Sequence, residues 1–188
     1  MRRWEFIAGL GSAVAWPVVA RAQQSAMPVI GWLDGQSPES AQEVLPAFLK
    51  GLAETGYVEG RNVTIEYRCA ENDNDRLSAL AADLVRRHVA VIVAADTRSA
   101  LAAKAATQSI PIVFRIGTDP VALGLVASLN RPAGNLTGVF SLSTEIAPKR
   151  VALLHEVVPA IASIAMLVNP ANPSADSNPK CKDRKSVV

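Results

Sequence analysis

From Met27 onward, short apolar runs alternate with longer amphipathic stretches. "PVIGWL" (28–33) predicts a short buried strand, and residues 40–55 predict a helix with Leu45, Phe48, Leu49 and Leu52 on one face. Pro46 makes that helix either kink or begin there, and Gly56 is its expected stop. "NVTIEY" (62–67) alternates as a strand should. Asp73 or Asp75 is expected to cap the next helix, where Leu77, Leu80, Ala81, Leu84, Val85 and His88 recur at helical spacing. "VAVIVA" (89–94) is apolar throughout, as expected of a parallel strand covered on both faces. A helix over 99–108, the strand "IPIVFRI" (110–116) and the turn "GTDP" follow. Next come a short helix over 121–129 ended by Asn130, the turn "RPAGN" and the strand "LTGVF". The pattern closes with a helix over 144–158, carrying Val151, Leu154, Val157 and Val158 inward, and a strand "SIAMLV" (163–168).

Strand and helix alternating through short loops predict an α/β fold, a parallel sheet with helices on both faces. Right-handed crossovers then bring the C-terminal ends of all strands to one edge. In open α/β sheets that edge is where ligands bind. "DGQSPES", "ADTRS" and "GTDP" are therefore expected to meet on one rim.

Composition supports a packed domain: 49% of the 188 residues are hydrophobic and 19% charged, with aromatics at only 5%. The first 22 residues stand apart. A basic opening "MRRWEF", a short apolar stretch broken by Gly9, Gly11 and Pro17, and the exit "ARA" read as a cleaved export signal. The Arg2-Arg3 pair followed by Phe6 and Ile7 resembles a twin-arginine signal, although Trp4-Glu5 intervenes, so both the general and the twin-arginine routes stay open. That segment holds Arg2, Arg3, Arg21 and Glu5, and without it the remaining charges balance. No nucleic-acid surface is implied. Of the two cysteines, Cys69 is read as incidental, while Cys181 lies in residues 179–188, whose composition departs from the rest and looks non-native.

Catalytic motifs are absent from the sequence. There is no phosphate-cradling loop with a Lys, no nucleophile elbow and no metal-ligand spacing, and neither a cofactor nor a metal is expected. His88 and His155 read as structural histidines on helices. The rim offers binding chemistry instead. Helix starts at Ser99 and near Val121 would aim N–H groups at an anion, with Thr97, Ser99 and Thr118 as neutral donors and Arg98 as a charge. Asp96 and Asp119 would receive an ammonium group, and the two halves together describe a zwitterion. The competing reading makes Asp96, Ser99 and Asp119 plain helix caps. The candidate site is Gln36, Ser37, Asp96, Thr97, Arg98, Ser99, Gly117, Thr118 and Asp119.

"GLAETGYVEGRNVTIEYR", "LAADLVRRHVAVIVA", "SALAAKAATQSIPIVF" and "DPVALGLVASLNRPAGNLTGV" closely resemble the substrate-binding proteins of bacterial ABC importers associated with tryptophan and tyrosine. The likeness runs from the signal to about residue 175. It implies a two-lobed periplasmic receptor with three hinge strands, a monomer that closes over a small ligand and delivers it to a membrane permease. On that basis residues 23–140 are lobe I and 141–178 the start of lobe II, so that the chain stops short of a whole receptor. Arg98 stands where the family usually has a small residue or Pro, and Cys69 where it commonly has Trp. Two alternatives remain beside transport: a sensory or exported small-molecule-binding domain, and a small α/β hydrolase.

Overall fold

The computed structural model describes residues 27–141 and 146–160. The elements in chain order are β1 (Val29–Asp34), α1 (Pro38–Ala41), α2 (Leu45–Glu54), β2 (Thr64–Cys69), α3 (Leu77–Arg86), β3 (Val91–Ala94), α4 (Thr97–Ala106), β4 (Ile112–Ile116), β5 (Leu136–Phe140) and α5 (Ala147–Val157). All the strand pairings are parallel, in the order β2-β1-β3-β4-β5. The expected α/β sheet is present, with helices on both faces.

Alternation along the strands sorts the core into two layers. Leu33, Ile92, Ala94, Ile112, Phe114 and Ile116 face α3 and α4, where Leu84, Ala100 and Ala103 are sealed. Ile30, Trp32, Val63, Ile65 and Ala95 face the other way, toward Leu45, Phe48, Leu49 and Leu52 of α2. Trp32 and Phe48 pack as tilted rings 5.1 Å apart. Gly31 has no side chain because α3 leaves no room for one: a methyl there would lie 2.9 Å from both terminal carbons of Leu84.

Several boundaries move for identifiable reasons. The helix expected over 40–55 is split: α1 makes one turn, and α2 begins at Leu45 with Pro46 in its first turn, where a missing N–H costs nothing. Gly56, at φ 90, ends α2 as expected, with the Tyr57 N–H bonding back to the Leu52 carbonyl at 3.1 Å. His88 is not on a helix face. It lies beyond α3 at φ 53 and is exposed. The helix expected over 121–129 does not form. A single turn is closed by Gly124 at φ 65, with the Leu125 N–H on the Pro120 carbonyl (2.8 Å) and the Gly124 N–H on Val121 (2.9 Å). That Schellman closure ends the turn before it can lengthen.

The largest departure is α5. Val151 is half-buried, while Leu154 (44% exposed), Val157 (77%) and Val158 (40%) face solvent rather than a core. Their spacing is helical, but no described element buries them. His155 on the same helix is exposed too. The expected strand at 163–168, the signal at 1–22, the tail at 179–188 and most of 141–178 lie outside the described residues.

Candidate ligand-binding rim

β1 pairs with β2 on one side and β3 on the other, so the direction of winding reverses between β1 and β3. Loops leaving the two strands on either side of such a reversal part and leave a crevice at the carboxyl edge. Here a single side chain ties them. Asp96, just after β3, accepts the Gly35 N–H on Oδ2 at 2.6 Å. A Cβ at Gly35 would lie 3.0 Å from that oxygen, a tight contact that would push the Asp96 carboxylate back by a few tenths of an ångström.

Asp96 is also the N-cap of α4. Its Oδ1 accepts the N–H groups of Arg98 (2.7 Å) and Ser99 (3.0 Å). Ser99, fully buried, completes a reciprocal box: its Oγ accepts the Asp96 N–H at 3.0 Å. Two of the donors expected to face an anion at this helix start, the Arg98 and Ser99 N–H groups, are therefore engaged by Asp96. Neither Asp96 oxygen is idle. The second expected helix start, near Val121, is the single turn already described, and Asp119 Oδ1 caps it through the Val121 N–H at 2.8 Å.

The rim residues still gather at one edge. Gln36 is exposed and Ser37 half-buried after β1, and Ser37 Oγ lies 3.4 Å from Ser40 Oγ. Arg98 is half-buried on the first turn of α4, and Thr97 beside it is 9% exposed. After β4, Gly117 and Asp119 are half-buried and Thr118 is buried.

Two charged groups that the sequence reading did not select stand just below these loops. β1 runs one residue further than expected, and alternation places Asp34 on the Trp32 side of the sheet at 5% exposure. Its Oδ1 accepts the Gln36 N–H at 2.9 Å. Burial, and secondarily the Asp96 charge, push the Asp34 carboxyl above its ordinary pKa of 3.8, against the Gln36 hydrogen bond, the Trp32 indole and the Arg115 field. Trp32 Nε1 makes no hydrogen bond of good geometry, yet its N–H lies close enough to favour the charged carboxylate. Arg115 on β4 is exposed on the same face. The signal that marks both is the strand alternation itself, carried one rung beyond the apolar run.

Cys69 pairs with Asp34 across β1 and β2. Burial and the nearby acids Asp34, Glu71 and Glu39 push its thiol upward, which keeps it protonated and unreactive. Among the described residues Cys69 is in no disulfide, no acidic or His/Cys cluster can hold a metal, and no helix is long and apolar enough to cross a membrane.

The profile of the family described as ABC transporter substrate binding protein matches residues 29–183. A tyrosine-binding protein from Clostridioides difficile is 35% identical over 131 residues, which is 69% of this chain and 37% of that protein. A crystal structure of a conserved domain protein from Vibrio cholerae superposes with a TM-score of 0.73 at 30% identity, over 81% of this chain and 51% of that one. A domain from Streptococcus pneumoniae in complex with L-Trp superposes with a TM-score of 0.57 at 30% identity, over 61% of this chain and 39% of the other. The chain thus spans well under two thirds of the length of each of these relatives.

Proposed function

The chain belongs to the ABC transporter substrate binding protein family, and from that premise we propose that it is the exported, periplasmic solute-binding component of an ABC importer that carries a free amino acid. The observation that carries this reading is the edge where β1 and β3 part, with the loops at 35–37, 96–99 and 117–119 assembled around it. Relatives that share the chain's sequence are a tyrosine-binding protein and a domain holding L-Trp, which favours an aromatic amino acid.

On this reading residues 23–140 form lobe I, and 141–178 belong to a second lobe that closes over the ligand. Gln36, Ser37, Thr97, Arg98, Gly117, Thr118 and Asp119 line lobe I's half of the site. Asp96 and Ser99 serve it from within, fixing the β1 and α4 loops so that the others point outward. The protein works as a monomer, binds without catalysis and hands its ligand to a membrane permease. Titration calorimetry of the 188-residue chain with single amino acids tests this directly. Saturable binding of L-Tyr or L-Trp, with L-Asp and L-Lys excluded, is the expected result. Equal heats from all of them would refute it.

A further inference from the structure

The turn that follows β2 is built on two residues that seldom share its shape. Ala70 and Asp73 close it, with the Asp73 N–H on the Ala70 carbonyl at 3.0 Å. Between them Glu71 lies at φ 56 and Asn72 at φ 66. Positive φ at both central residues makes this a type I′ turn, whose usual occupants are glycine, asparagine and aspartate. Asn72 fits that preference and Glu71 does not. A left-handed backbone presses Cβ toward a carbonyl oxygen, and a Glu side chain is too long to compensate through a local hydrogen bond.

Strain of this kind persists where surrounding bonds over-determine it. Here those bonds go to the loop after β1. The Glu71 N–H donates to the Gln36 carbonyl at 3.2 Å, and the Asn72 N–H to the Gly35 carbonyl at 2.9 Å. Beneath them the Ala70 N–H reaches the Asp34 carbonyl at 2.8 Å, and Ala70 itself is buried. Reversing φ at Glu71 or Asn72 would redirect the chain and re-aim both donors. The same loop is held from the β3 side as well, where Asp96 Oδ2 accepts the Gly35 N–H, while Asp34 Oδ1 accepts the Gln36 N–H. Every backbone N–H and carbonyl of Gly35 and Gln36 is thus engaged. Gln36 and Ser37 leave this clamp as the β1 contribution to the rim.

We propose that the turn at 70–73 sets the position of Gln36 and Ser37 for the ligand through the N–H groups of Glu71 and Asn72, which makes Asn72 a positioning residue that acts by its backbone. This rests on the receptor reading above and goes past it, because it gives a role in binding to a segment outside the rim loops.

The test uses the full chain, L-tryptophan as the probe and a series at one position. Asn72→Gly, Asn72→Ala and Asn72→Val run from a residue at ease with positive φ to one that resists it most. Calorimetry gives the affinity, thermal melts confirm the fold, and hydrogen exchange follows the amides at positions 71 and 72. Asn72→Val should expose both amides and weaken L-tryptophan about 10-fold, the worth of one hydrogen bond out of place. Asn72→Ala should fall between, and Asn72→Gly should bind within twofold of wild type, because the backbone acts and the carboxamide does not. Asn135→Ala supplies the comparison at the opposite edge of the sheet, where the Asn135 side chain donates to the Ile110 carbonyl at 2.6 Å and the Thr107 carbonyl at 3.4 Å. Its loss should lower the melting temperature and leave the affinity unchanged. If the valine variant does not fold, the alanine and glycine variants decide by the same order. Exposure of both amides with affinity still within twofold would overturn this assignment and leave the receptor reading standing, as would a glycine variant that binds as weakly as the valine one. A folded wild-type chain that binds no free amino acid would overturn both.

Discussion

β1 and β5 belong to the same sheet and have opposite surroundings. From Ile30 to Asp34 every residue of β1 is buried, whereas in β5 only Leu136 is buried and Val139 is 65% exposed. α2 covers the sheet over β1 and β3 on one side, and α3 with α4 covers the other. Over β4 and β5 no helix among the described residues covers the α2 side, and β4 reads buried and exposed in strict alternation. Burial on both faces is therefore a property of position in the sheet. The same residue type, valine, is core at Val63 (1% exposed) and surface at Val139. Among the described residues, burial concentrates around the β1–β3 reversal.

The largest expected effect separates the two halves directly. Leu84→Ala, in a fully buried site against Gly31, should cost about 2–5 kcal/mol in urea unfolding. Val139→Ala should stay within about 0.5 kcal/mol. Comparable losses would mean that Val139 is covered after all. Next in size is the tie at the reversal. Asp96→Ala removes a helix cap and the bond to Gly35 together, and should cost about 2–3 kcal/mol. Asp119→Ala removes one exposed cap bond and should cost about 0.5–1 kcal/mol. If the two costs were equal, the reversal would not be the more strongly held place.

Hydrogen exchange sharpens the contrast without mutation. Amides of Ile92–Ala94 should exchange only through global unfolding, while those of α5 should exchange through local opening.

The smallest effect concerns pH. Burial raises the Asp34 pKa above 3.8, so in that window the folded chain holds a proton that the unfolded chain has released. Stability should therefore fall as pH rises through the folded pKa of Asp34, and Asp34→Asn should remove that part of the slope. A variant whose pH profile matched wild type would show that Asp34 carries no such penalty.

Most of the architecture was legible because apolar runs in a parallel sheet are hard to mistake. β3 and β5 fell where the pattern put them, within two residues. Other features were hidden by local chemistry. Gly124 reads as an ordinary residue inside "VALGLV" until its positive φ closes a turn after four residues. The valines and leucines of α5 have helical spacing, but spacing reports an apolar side and says nothing of what meets it. Asp96 and Ser99 were legible as caps and equally as ligand groups, and only the geometry shows both Asp96 oxygens engaged by backbone. Asp34 and Arg115 went unnoticed because a charge at the end of an apolar run resembles the start of a loop. Register across four strands is what sets them on one rung, and register is not written in any single segment.

The bond from Gly35 to Asp96 spans 61 positions of chain, and it has a consequence for timing. β1 is made first, yet its second neighbour, β3, emerges only after α2, β2 and α3 have been added. Until then β1 has one parallel partner and an open edge, and parallel pairing across such distances forms slowly. Folding of this sheet should therefore be a late and concerted event, set by the arrival of β3. A fragment ending before Val91 should remain unfolded, and refolding of the full chain should show α4 and the β1–β3 ladder gaining protection in the same kinetic phase.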